Sequence, residues 1–117
     1  MFKLQEKVNM NSIAQKDLDR IVQSINQLLP EARVYLFGSY ATGKQKADSD
    51  IDLCVVAPEY SGRRMEVLYS LRVALRNTTE IPIDVLAFTD EEFERNSMMK
   101  PTIQYTIANE GVLLNGQ

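Results

Sequence analysis

Asp50 and Asp52 interrupt "SDIDLCVVA", a run otherwise made of apolar and small residues. A carboxylate is costly to bury without a partner. Residues two apart on a strand point to one face. The pair therefore projects together from the start of a strand, while Ile51, Leu53 and Val55 face the core. Two carboxylates held that close repel each other, and a shared cation removes the repulsion. Magnesium suits the position, because it takes carboxylate oxygens and keeps water and substrate phosphate as further ligands. A solvated turn ahead of a strand, which "ADSD" also fits, is the plainer account of an Asp-x-Asp standing alone.

A third acid changes that balance. Asp84 lies in "IPIDVLAF", again a single carboxylate in an apolar strand. If its strand lies beside that of Asp52, the three acids form a cluster. Two metal ions held there would activate an attacking oxygen and steady a leaving pyrophosphate. The alternative for Asp84 is an edge-strand residue facing water.

Phosphate chemistry also needs a cradle, and "FGSYATGK" offers one. Gly38 lets the backbone turn tightly and approach a ligand, and Ser39 brings a hydroxyl and an N–H. A helix starting there aims free N–H groups at an anion. Lys44 and Lys46 lie close enough in sequence to reach the same phosphates, and equally suit a solvated loop. There is no Walker-type glycine–lysine–serine/threonine signature, so this is not a P-loop.

Composition removes several other chemistries. The chain has no histidine, which excludes a Ser-His-Asp triad, a Cys-His dyad and histidine-ligated zinc or iron. Its one cysteine, Cys54, allows no internal disulfide and no four-cysteine zinc site, and in "LCVVA" it reads as a small buried hydrophobe. A formal net charge of -3 does not favour nucleic acid or an anionic membrane. No apolar run suits a signal peptide or a membrane span, so a cytoplasmic protein is expected. With 117 residues, one domain over 1–117 is expected.

The elements that must position these residues follow from periodicity. Leu18, Ile21, Val22, Ile25, Leu28 and Leu29 recur at helical spacing, with Ser12 as a candidate N-cap and Pro30 as the stop. "RVYLFGS", "SDIDLCVVA" and "EIPIDVLAFT" read as strands. Between the last two, Leu68, Leu71 and Leu75 mark a helix whose apolar stripe Met65, Val67 and Ala74 widen. Asp90 reads as the N-cap of a last helical region, which Pro101 breaks and Gly111 ends; "VLLN" suits a short edge strand. The expected fold is α/β (α+β), with a short mixed β-sheet flanked by helices.

The combination is more specific than its parts. Gly38-Ser39, ten residues, and then Asp50-Ile51-Asp52, in "GSYATGKQKADSDIDLCVV", resembles the signature of the polymerase-β-type nucleotidyltransferase superfamily. In its short form the chain resembles the minimal nucleotidyltransferases, including the antitoxins encoded beside HEPN toxins. That resemblance implies that Gly38 and Ser39 hold a triphosphate with Lys44 nearby. It implies that Asp50 and Asp52 ligate two magnesium ions, and that Asp84 completes the cluster as the base. It further implies ATP as substrate, a HEPN-type ribonuclease toxin as partner and AMP transfer to one of its tyrosines. A homo- or hetero-oligomer is compatible with this. Many relatives carry an arginine where this chain has Thr42. Two other functions fit the residues: transfer to a small-molecule acceptor, and a module that binds toxin or nucleotide by contact alone.

Overall fold

The computed structural model describes residues 13–60 and 62–115. Helix α1 (Gln15–Leu28) is followed by β1 (Arg33–Phe37) and the single-turn helix α2 (Ser39–Thr42). Then come β2 (Ile51–Ala57), α3 (Arg64–Ala74) and β3 (Ile83–Thr89). The chain ends in α4 (Asp90–Ser97), α5 (Ile103–Glu110) and β4 (Val112–Leu113). The four strands form one sheet in the order β3-β2-β1-β4.

β1 pairs antiparallel with β2 and with β4, whereas β2 and β3 run parallel. The parallel pair needs a long crossover, which α3 supplies. One end of the sheet therefore gathers the C-terminus of β1 and the N-termini of β2 and β3. Both sequence motifs fall at that end.

β2 lies inside the sheet and is buried on both faces, as the parallel-paired strands of a covered sheet are. On one face Val34, Leu36, Leu53, Val55 and Val85 pack with Leu18, Ile21, Ile25 and Leu71 from α1 and α3. On the other, Cys54 and Val56 pack beneath Phe93 of α4 and Ile107 of α5. The Phe93 ring stacks on Tyr35 at 5.4 Å between centroids, and the Arg33 guanidinium lies 5.7 Å from the Phe93 ring centre. Arg33 also donates to Asp90 Oδ1 at 3.2 Å, which fixes the start of α4 beneath β1.

Several local expectations change in the structure. Asp50 precedes β2 instead of opening it. Leu28 is 41% exposed and Met65 is 68% exposed, so neither joins the core. Thr89, not Asp90, caps α4: its Oγ1 accepts from Glu92 N–H at 3.2 Å, and Glu92 Oε1 accepts from Thr89 N–H at 2.9 Å. This reciprocal box satisfies two N–H groups, and Asp90 is the first helical residue. Gly111 follows α5 with ordinary φ; a Cβ there would meet Ile107 O at 2.6 Å and Leu36 O at 3.2 Å. Close backbone approach, not a left-handed turn, requires glycine there. The N-cap expected at Ser12 lies outside the described residues; Ala14 is the residue before α1.

Candidate active site

The turn after β1 decides the site's geometry. Gly38 has φ 76° and ψ -153°, a region that residues with a Cβ rarely enter. A Cβ at this position would stand 2.2 Å from Asp52 Oδ2. The Asp52 carboxylate therefore lies directly against the bare Cα of Gly38. Ser39 opens α2, so its N–H and that of Tyr40 have no acceptor within the helix. Tyr40 is buried in the core and anchors this turn. Thr42 Oγ1 donates to Gly38 O at 3.3 Å, which turns its polar atom back onto the loop.

The register brings the acids into line. Phe37, Asp52 and Asp84 are successive partners across β1, β2 and β3. Ile51 N–H donates to Pro82 O at 2.8 Å, which pins the starts of β2 and β3 together one residue before that pair. Asp52 is partly buried, whereas Asp84, on the edge strand, and Asp50 are exposed. Both readings of Asp84 thus apply together: it faces water at the sheet edge and stands beside Asp52.

Electrostatics joins the three. Burial raises the Asp52 carboxyl above its ordinary range, and the negative charges of Asp84 and then Asp50 raise it further. No group of three or more His, Cys, Asp or Glu among the described residues already converges as a metal cage. Their donor set is nevertheless that of a hard divalent cation: carboxylate oxygens only, with Asp52 under repulsion from two neighbours. The residues fit magnesium.

Lys44 and Lys46 are exposed in the loop before β2. Lys44 N–H donates to Ser39 O at 3.0 Å, so its backbone is tied to the turn at Gly38. The same loop holds a residue to which no sequence signal pointed. Gln45 Oε1 is buried and has no hydrogen-bond partner among the described residues. Nothing in the spacing of "TGKQKA" distinguishes Gln45 from an ordinary loop glutamine.

The nucleotidyltransferase domain family matches residues 18–114, and the chain belongs to that family. It is 36% identical over 75 residues to poly(A) RNA polymerase protein 2 of Saccharomyces cerevisiae; the match covers 61% of this chain and 13% of that protein's length. A crystal structure of a toxin–antitoxin with AMP-PNP is similar at TM-score 0.57 and 24% identity, covering 86% of this chain and 73% of that one. A structure of a tri-AMPylated Shewanella oneidensis HEPN toxin in complex with MNT antitoxin is similar at TM-score 0.53 and 21% identity, covering 90% and 74%. At these identities the structural likeness is one of fold, and that fold is the minimal nucleotidyltransferase expected from the motif.

Proposed function

We propose that this chain transfers AMP from ATP to a tyrosine hydroxyl of a HEPN-type toxin in the cytoplasm, and so acts as its antitoxin. The observation that carries the reading is the Asp52 carboxylate, pressed on the Gly38-Ser39 turn and in register with Asp84. This juxtaposition supports a reading in which the Gly38-Ser39 turn cradles a triphosphate beside a pair of acids. The toxin as acceptor is carried over from the solved complexes that share the fold.

In this reading Gly38 lets the triphosphate approach the backbone, and the N–H groups of Ser39 and Tyr40 donate to its oxygens. Lys44 offsets the charge of the same phosphates. Asp50, Asp52 and Asp84 would hold two magnesium ions, which supply charge neutralisation at the triphosphate and at the attacking oxygen. Asp84, exposed at the sheet edge, takes the proton of the acceptor hydroxyl. The acceptor oxygen forms a bond to the α-phosphorus as the bond to the bridging oxygen breaks. Pyrophosphate leaves with that electron pair. The net charge of -3 argues against a nucleic-acid acceptor.

The test is intact mass. The chain, ATP, magnesium and the product of the neighbouring gene, taken as the candidate HEPN-type partner, are incubated, and the partner should acquire the mass of one or more AMP groups. Asp50→Asn and Asp52→Asn should each abolish the addition. If the double variant silences the partner equally well with no change of mass, the transfer reading is wrong and binding alone explains the silencing.

A further inference from the structure

Helix α3 presents a second face that neither the core nor the acid site uses. Its buried side is Val67, Leu71 and Leu75. At 3.6 residues per turn, Met65, Tyr69, Arg72 and Val73 fall on the opposite side. Met65 is 68% exposed, Tyr69 65% and Val73 39%. Arg72 continues this line, and with Arg76 it borders a groove of about 270 Å³ that Ile81 and Pro82 also line. Neither Arg72 nor Arg76 makes an ion pair among the described residues. Exposed tyrosine, methionine and arginine around an apolar centre are the composition of a protein interface.

Charge selects the occupant. The stretch 63–76 carries Arg63, Arg64, Arg72 and Arg76 against Glu66, and the groove sets Arg72 and Arg76 against Glu80, an excess of positive charge in a chain whose net charge is -3. Arg64 is committed to Glu92 and to Ala87 O, and Glu66 to the backbone N–H of Arg63. A second copy pairing two-fold through this face would set arginine against arginine, which is repulsive. The first twelve residues carry Lys3 and Lys7 against Glu6, so they too are a poor electrostatic match. We propose that the outer face of α3 and the adjoining groove dock a protein whose surface places carboxylates around an apolar centre. Ile83, on the groove wall, immediately precedes Asp84, so the groove lies at the end of the sheet that carries the acids, on the face opposite to the one the Asp84 side chain takes. Taking that protein as the acceptor rests on the transfer reading above; the docking itself does not.

Binding of the product of the neighbouring gene, taken as the candidate HEPN-type partner and measured by titration calorimetry with this chain, tests the surface. Tyr69→Ala should weaken binding about tenfold or more, and Arg72→Glu with Arg76→Glu should weaken it about fiftyfold. The charge-reversal pair should also flatten the salt dependence, and KM for the partner should rise while kcat and KM for ATP stay unchanged. All three side chains are exposed, so thermal unfolding should match the wild type and exclude misfolding. Wild-type affinity retained in both variants overturns the docking surface and leaves the transfer reading intact. Lost binding in the variants, with no AMP transfer by the wild type, supports the surface and removes the transfer reading. A wild-type chain that binds no partner also overturns the surface. So does a dimer of this chain that Tyr69→Ala dissolves, because a second copy then covers α3.

Discussion

Replacing Gly38 with alanine tests whether the turn and the acid form one unit. The added methyl would meet Asp52 Oδ2 at 2.2 Å, Cγ at 3.1 Å and Cβ at 3.3 Å. Two costs follow. Holding a residue with a Cβ at φ 76° and ψ -153° costs on the order of 1–3 kcal/mol. Displacing the carboxylate adds about 1–2 kcal/mol, the lower range for overpacking, because Asp52 is only partly buried and can swing outward. Gly38→Ala should therefore lose about 2–5 kcal/mol in urea unfolding followed by circular dichroism, with EDTA present. Asp52→Ala removes Oδ2 and Cγ and leaves Cβ, at 3.3 Å, as the nearest atom of that residue. In the Asp52→Ala background the glycine substitution should cost about 1–2 kcal/mol less, the strain alone remaining. A loss below about 0.5 kcal/mol, or an equal loss in both backgrounds, refutes the close approach as the reason for glycine.

The other predictions concern charge, a buried network and a thiol. Burial, then Asp84, then Asp50 raise the Asp52 carboxyl, so the folded chain keeps this proton to higher pH than the unfolded chain does, whose value is near 3.8. Stability from this group is full below that pH and falls as pH rises through the folded value. Asp52→Asn should then raise the melting temperature of the metal-free chain at pH 7 and leave it unchanged near pH 3; equal gains at both pH values would contradict the repulsion. Asn115 Oδ1 accepts from Val34 N–H at 2.7 Å, and its Nδ2 donates to Asn26 Oδ1 at 2.7 Å. Asn115→Ala should cost about 1–3 kcal/mol in urea unfolding by leaving these groups unpaired, whereas a loss under 0.5 would mean that water replaces them at about no net cost. Burial pushes the Cys54 thiol up to about 12, so iodoacetamide at pH 8 should label it only as fast as the chain unfolds; immediate labelling of folded protein would show the thiol to be accessible.

The acids were legible in the sequence because a charge inside an apolar strand is conspicuous at any register. Ile51, Leu53 and Val55 are buried as alternation requires, and Gly111 ends its helix where expected. Periodicity failed at Met65, since helical spacing marks which residues are able to share a face and not which of them the sheet covers. It failed at Asp90 because Thr89 and Asp90 are both good caps, and the end of β3 decided between them. Asn26 and Asn115 gave no signal, being 89 residues apart and ordinary polar residues in their local contexts.

The sequence by itself determined the carboxylates, the Gly-Ser turn, the absence of histidine and the order of helices and strands. These follow from residue type and short-range spacing, which local backbone geometry converts directly into structure. Only the tertiary structure decided that Asp84 stands opposite Asp52 and that Asp52 rests against Gly38. Strand pairing is a long-range choice, because a one-residue slip would carry Asp84 to the other face. The parallel pairing of β2 and β3, set by the α3 crossover and the Ile51–Pro82 hydrogen bond, made that choice.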